Sequence, residues 1–293
     1  MFIKASSVLL FMKLLVVGDL HGQAPRIPDE EFDAVIVPGD VCGDSGIKPL
    51  MMQAVAARRS GEEVVDWWDV VSKQEAARLV DESIQAGRAV LKELDSLGVP
   101  VFIVPGNWDW TGYEDASWPL MQEDLFESRV IKGFANVVNI EDSLVELEGL
   151  SLIGYGRVNG PELVELRGYA DVTEEEVLDS REHYEELVEF FSLLFEDAKS
   201  PVLFLAHNVP YDTTLDVISN AQSAVDGMHY GSNVVRELIE RFQPLASIGG
   251  HIHEHYGTDV IGKTVCLNAG FGSDKASIIF YDESGLDVRL LTN

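Results

Sequence analysis

The sequence predicts an α/β protein. Three observations carry this: short apolar runs that end in Gly, Asp or His, long amphipathic stretches between them, and hairpin-like strand pairs in 136–154 and 255–291. The apolar runs cover 13–17, 34–37, 101–104, 201–206 and 245–248. None alternates polar with apolar residues, which is how strands covered on both faces read. The helical stretches cover 72–97, 173–198 and 232–242. Gly98 follows the first as a C-cap, and Thr173 with Glu176 opens the second in capping-box spacing. Further strands are expected at 137–140, 143–147, 151–155, 258–261, 264–268, 277–281 and 286–291. Gly262-Lys263 between two of them marks a hairpin.

Composition narrows the function classes. The chain has 293 residues, 46% of them hydrophobic, enough for a sizeable core. It carries 50 acidic and 21 basic residues, a net charge of −29. That disfavours a nucleic-acid polymer as partner, since backbone binding is driven by Lys and Arg. It equally disfavours an anionic membrane surface. Cys42 and Cys266 form no CxxC pair and read as neither nucleophile nor ligand, so a reducing, cytoplasmic setting is expected. No apolar run reaches the ~18 residues of a membrane span.

Lys4 and the apolar stretch after it look like a short secretory signal. That stretch runs straight into Asp19 and His21, however, and cleavage would delete the strand that places them. Residues 1–11 therefore read as an N-terminal extension, with Met12 the natural first residue and 12–293 a single domain. There is no repeat, low-complexity segment or linker.

Each of the five runs delivers metal-competent side chains at its C-terminal end: Asp19 and His21, Asp40, Asn107, His207, then His251 and His253. Open α/β sheets place ligand sites at those strand ends. In an extended segment His251 and His253 point the same way with Ile252 opposite, and Asp19 and His21 do so around Leu20. Such oxygen and imidazole donors suit two divalent cations sharing one carboxylate. Two cations about 3.5–4 Å apart can hold both the attacking and the leaving oxygen of an in-line displacement at phosphorus. Two such cations against two carboxylates and a hydroxide leave about +1, attractive to phosphate within an acidic chain.

The blocks Gly-Asp-Leu-His-Gly (18–22), Pro-Gly-Asp (38–40), Pro-Gly-Asn-Trp-Asp (105–109), Ala-His (206–207) and Gly-His-Ile-His (250–253) resemble those of the calcineurin-like metallophosphoesterase superfamily. The stretches 206–216, 231–244 and 249–270 resemble the Icc-related phosphoesterases within it. The resemblance implies a four-layer α/β/β/α sandwich of two mixed sheets with a two-metal centre between them. It assigns Asp19, His21 and His253 to one metal, Asn107, His207 and His251 to the other, and Asp40 to both. Manganese is the first expectation for the metals, with iron, zinc or nickel as the others. The implied reaction is hydrolysis of a small-molecule phosphodiester or nucleotide by metal-activated hydroxide, with Asp19, Asp40, Asn107 and Asp109 as the catalytic set. Asn107, Trp108 and Asn208 are the expected substrate contacts, and Arg157 is a further candidate for an anion. The alternative is a non-catalytic scaffold of the same fold. Self-association is left open.

Two relatives with other partners are disfavoured. Protein phosphatases carry a Gly-Asp-x-Val-Asp-Arg-Gly block, whereas Asp40 is followed here by Val-Cys-Gly-Asp-Ser-Gly. The DNA-repair nucleases need a basic surface that a −29 chain lacks.

Trp108 departs from the pattern. The family's His at this position is thought to protonate the leaving oxygen, and an indole only donates a hydrogen bond. Loss of a general acid typically costs about 10²–10⁴ in rate. The departure points to a subgroup with better leaving groups rather than to inactivity, and His229 or His255 is a possible substitute acid. His183 reads as part of a solvated helix face. Trp110, Tyr113 and Trp118 follow Trp108 closely. They read, with Trp67 and Trp68, as packing against the sandwich. Stacking on a nucleobase or aryl group is the alternative for Trp108. Asp109 reads as a support for its neighbours.

Overall fold

Residues 11–59, 66–112, 116–156, 158–168, 172–221, 223 and 225–292 are described by a computed structural model. The chain builds two six-stranded mixed sheets. One holds β1 (Met12–Val16), β2 (Ala34–Val37), β3 (Val101–Ile103), β4 (Val137–Asn139), β11 (Ala276–Asp282) and β12 (Gly285–Leu291), in the order β12-β11-β1-β2-β3-β4. The other holds β5 (Ser143–Leu147), β6 (Leu150–Tyr155), β7 (Val202–Asn208), β8 (Ala246–Gly250), β9 (Gly257–Ile261) and β10 (Thr264–Asn268), in the order β5-β6-β7-β8-β10-β9. Parallel pairs occupy the middle of each sheet: β1 with β2, β2 with β3, β6 with β7 and β7 with β8. Antiparallel hairpins close three of the four edges, including β9–β10, where Ile261 pairs with Thr264 across the Gly262-Lys263 turn, while the edge strand β4 runs parallel to β3.

The unbroken apolar runs have a direct cause. In β1, Leu14 and Val16 face the other sheet while Leu15, and Val17 just after the strand, face helices. In β2, Ala34 and Ile36 face inward while Val35 and Val37 face outward. The inward residues meet Leu203, Leu205 and Ile248 of the second sheet in one buried cluster. The outer face of the first sheet is covered by α2 (Lys73–Asp95), whose Ala76, Val80, Ile84, Leu91 and Leu94 are buried at helical spacing. The outer face of the second is covered by α3 (Glu174–Asp197) and α4 (Asn233–Phe242) through Phe191, Val235, Leu238 and Ile239. Helix, sheet, sheet and helix form four layers, as expected.

Ser72 caps α2 by accepting from Glu75 N–H at 3.2 Å, and Thr173 and Glu176 close the capping box of α3. One helix was not legible: α1 (Lys48–Arg59) begins with Lys48-Pro49 directly after the apolar Ile47, with no capping residue at its start. No helix among the described residues is long and apolar enough to cross a membrane. The expected extension at 1–11 lies outside the described residues except for Phe11.

Candidate metal centre

The loops after β1, β2 and β3 lie side by side at one end of the first sheet. Asp19 N–H donates to Gly39 O at 3.1 Å, His21 N–H to Asp40 O at 2.8 Å, and Gly22 N–H to Val41 O at 2.9 Å. The buried Asp109 carboxylate binds the second loop to the third. It accepts from the N–H groups of Asp40 at 2.7 Å, Val41 at 3.0 Å, Cys42 at 2.9 Å and Gly106 at 2.9 Å. Trp108 N–H in turn donates to Asp40 Oδ1 at 2.8 Å.

Two contacts cross to the second sheet. His251 N–H donates to both Asp19 oxygens, at 2.9 and 3.0 Å, and His207 Nδ1 lies 2.8 Å from Pro38 O. The close approach leaves no room for side chains at two glycines. A Cβ on Gly106 would sit 2.2 Å from Asp40 Oδ1, and one on Gly250 would sit 2.2 Å from Asp19 Oδ2.

These bonds assemble two groups of ligand-competent side chains: Asp19, His21 and His253, and Asp40, His207 and His251. Within each group the ligand atoms lie within 4.8 Å of one another. Asn107 stands with the second group, its Oδ1 3.0 Å from His207 Nε2. Asp40 Oδ2 is 3.7 Å from His21 Nε2 and 3.6 Å from His207 Nε2, so one oxygen faces both groups. All seven side chains singled out in the sequence therefore meet in one place.

The backbone that aims them is not the extended one expected. Asp19 (φ 49°), His21 (φ 46°), Asp40 (φ 54°) and His251 (φ 67°) are all left-handed. Leu20 and Ile252 still turn away into the two outer cores, through tight turns rather than strand alternation. Left-handed backbone costs an ordinary residue about 1–2 kcal/mol, although Asp and His are among those that adopt it more readily. The dense bonding by Asp109 and between the loops holds it in place.

The chemistry of the donors fits divalent cations. With Nδ1–H of His207 donating to Pro38 O, its Nε2 presents a lone pair to Asn107 Oδ1, acceptor against acceptor. His21 Nε2 and His253 Nε2 face each other at 3.2 Å. Cations between such atoms remove the conflict. Burial holds the His21 imidazole down to about 4 and His251 to about 3, and lowers His207 too. Neutral imidazole is the ligand form. Burial, reinforced by the charges of Asp109 and Asp19, pushes the Asp40 carboxyl well above its usual range, and a cation supplies the opposite charge such a site calls for. Asp19 is held low: burial alone would raise it, but the hydrogen bond and charge of His253 outweigh that.

Several sequence expectations change. Asn208 is fully buried and spends its amide on the main chain, donating to Tyr230 O at 3.0 Å and accepting from Val209 N–H at 2.8 Å. It supports the loop after β7 and presents nothing to a substrate. Asp109 is committed to four N–H groups, so it positions Asp40 and does not react. His229 and His255 bond within the 212–219 loop, to Asp216 at 2.7 Å and to Val217 O at 2.7 Å, which leaves neither placed as a substitute acid. His183 is exposed on α3. Arg157 and Tyr113 lie outside the described residues.

Residues not singled out also shape the site. Asp44 Oδ2 is 3.5 Å from His21 Nδ1, on the side away from the ligand group. Carboxylates in that position orient metal-binding histidines. Phe271 stacks on His21 with ring centroids 5.8 Å apart. Asn268 donates to Ile252 O at 2.7 Å and so holds the 250–253 turn. An Asp four residues after Asp40 was a readable signal; the Phe and Asn, far along the chain, were not.

No curated protein matches the chain. Among solved structures, one covers 97% of this chain and 99% of its own at 17% identity and a TM-score of 0.62, a likeness of fold. A phosphopantetheinyl hydrolase from Mycobacterium tuberculosis covers 89% and 90% at 13% identity and TM-score 0.49. A dimetal phosphatase from Danio rerio covers 96% and 98% at 12% identity and TM-score 0.43. The family model for calcineurin-like phosphoesterases matches residues 12–255, a span that contains every one of the gathered ligands. The chain belongs to the calcineurin-like phosphoesterase family.

Proposed function

We propose that the protein is a metal-dependent phosphoesterase that hydrolyses a small-molecule phosphodiester or nucleotide. The observation that carries this reading is Asp40, whose Oδ2 faces a histidine of each ligand group at 3.6–3.7 Å. A single carboxylate common to two donor groups is the arrangement a dinuclear centre needs. Asp19, His21, Asp40 and His253 would hold one cation, and Asp40, Asn107, His207 and His251 the other, with manganese the first candidate. Bound divalent ions act as Lewis acids toward a phosphoryl group and acidify water.

The protein's own residues prepare that chemistry. Burial keeps His21, His207 and His251 neutral, so their lone pairs are available at neutral pH. Asp109 fixes Asp40 through main-chain bonds, and Asn107 presents its amide at the edge of the centre. The side chain at 108 is an indole, which cannot protonate a leaving oxygen. Esters whose leaving groups need no protonation are therefore the preferred substrates. The −29 charge disfavours nucleic-acid polymers as substrates and agrees with a small-molecule role.

A panel of phosphomonoesters and phosphodiesters with the Mn²⁺-loaded chain tests the reading. Turnover of activated diesters such as bis(p-nitrophenyl) phosphate is expected. Asp40→Asn should lower it by at least about 10³-fold, whereas Trp108→His should change it by less than about tenfold. A metal-loaded chain inert to the whole panel overturns the proposal, and equal losses in the two variants overturn the roles.

A further inference from the structure

A cavity of about 310 Å³ adjoins the metal centre, and Asn107 and Trp108 belong to its wall. Its other walls are mainly aromatic and apolar, supplied by Trp67, Trp68, Trp110, Ile47 and Ala116. We propose that it binds the organic group of the phosphoester, and that this group is flat, aromatic and uncharged, with an acceptor atom for the Trp68 indole N–H. The proposal rests on the phosphoesterase reading and narrows its substrate class.

Four properties of the wall support it. Its volume lies at the small end of small-molecule sites, room for one ring system and not for an oligonucleotide. Three of the four lining indoles, Trp67, Trp68 and Trp110, are held in place before any ligand arrives. Trp67 meets Trp68 edge-on with ring centroids 5.8 Å apart and Trp110 at 6.2 Å. Trp110 Nε1–H donates to Ser83 Oγ at 2.9 Å, which fixes its orientation. Preformed aromatic walls favour flat partners because little ordering remains to be done on binding.

The third property is charge. Among the described residues the lining includes no Lys, Arg or His, and its charged member is Asp66. A second phosphate or a carboxylate in the cavity would meet no counter-charge among the described residues, which favours an uncharged group there over a diphosphate. The fourth is a donor. Trp68 is 4% exposed, and its Nε1 is buried with no hydrogen-bond partner among the described residues. Buried indole N–H groups ordinarily have one, and a ring nitrogen or carbonyl of the bound group provides it.

The absence of an acid at 108 agrees with the aryl-ester member of this class, since a nucleotide's ribose oxygen is a leaving group that needs a proton. Aryl oxides leave without protonation, and Trp108 replaces the missing acid with a surface on which a ring can stack. The group can come from an aryl ester or from a nucleotide base, since both present a flat uncharged ring.

Calorimetric titration of the Mn²⁺-loaded full chain with phosphonates, which are not hydrolysed, tests the proposal without turnover. Benzylphosphonate should bind at least about tenfold more tightly than methylphosphonate, the order expected for stacking. Pyridin-3-ylmethylphosphonate should gain a further several-fold, and Trp68→Phe should remove that gain alone. Trp108→Ala should remove most of the benzyl preference. Naphthylmethylphosphonate set against an adenine-bearing alkylphosphonate separates the two sources, the tighter naming the class. Equal affinities for methyl- and benzylphosphonate in the parent chain overturn the cavity proposal alone. Binding of neither overturns it together with the phosphoesterase reading.

Discussion

Asp109 accepts four backbone N–H groups from two loops, all inside the fold. Removing one acceptor therefore strands several buried donors, each worth about 1–3 kcal/mol when unpaired. Asp109→Ala should lower stability in urea by at least about 3 kcal/mol and reduce bound metal. Asp109→Asn, which keeps the volume but exchanges an acceptor for a donor, should lie between the two. Unchanged metal content in Asp109→Ala would show that Asp40 holds its place without it. The histidines give a second test. His251 is held down to about 3 by burial against an ordinary value of 6.5. Between those values the unfolded chain binds a proton that the folded chain does not. The contribution of His251 is therefore present above pH 6.5 and lost as pH falls toward about 3. Metal-free His251→Gln should lose stability less steeply over that window than the metal-free parent; equal slopes would contradict the assignment. The donor identities were legible because each follows an apolar run. Their left-handed backbone was not, since strand alternation also sends Leu20 and Ile252 away from the site.

At the scale of elements, strand ends place the ligands and glycines let the strand ends meet. Gly106 follows β3, and a Cβ there would lie 2.2 Å from Asp40 Oδ1 and 2.6 Å from His207 Cε1. Backbone or ligand must shift to admit it. Gly106→Ala should therefore reduce metal affinity by more than about tenfold while leaving the far-ultraviolet circular dichroism of the sandwich in place, as measured by competition with a chelating dye. Strands and helices were readable in outline because both faces of the central strands are apolar and both long helices carry caps. The helix α1 escaped because Ile47, and no capping Ser, Thr, Asp or Asn, stands directly before it. The tryptophans at 67, 68 and 110 were readable as packing residues, and they do pack. That they also wall a cavity beside Asn107 depends on how three segments meet, which local sequence does not record.

For the whole molecule, the decisive feature is that each ligand group draws on both sheets. Asp19 and His21 follow β1 and Asp40 follows β2 in the first sheet, whereas His207 ends β7 and His251 and His253 follow β8 in the second. Neither group exists unless the sheets dock. On the proposed two-metal reading, binding would be coupled to global stability: at free metal about 100-fold above Kd each site would add about 2.7 kcal/mol. The block order made the two-metal reading, with Asp40 shared between the metals, possible from the resemblance, but the sheet order needed the fold. The most direct test is Mn²⁺ titration followed by metal analysis and electron paramagnetic resonance. Two Mn²⁺ per chain with an exchange-coupled spectrum, reduced to an uncoupled spectrum by Asp40→Asn, is the expected result. One Mn²⁺ per chain, or two giving only the six-line signal of isolated ions, would contradict a centre bridged by Asp40.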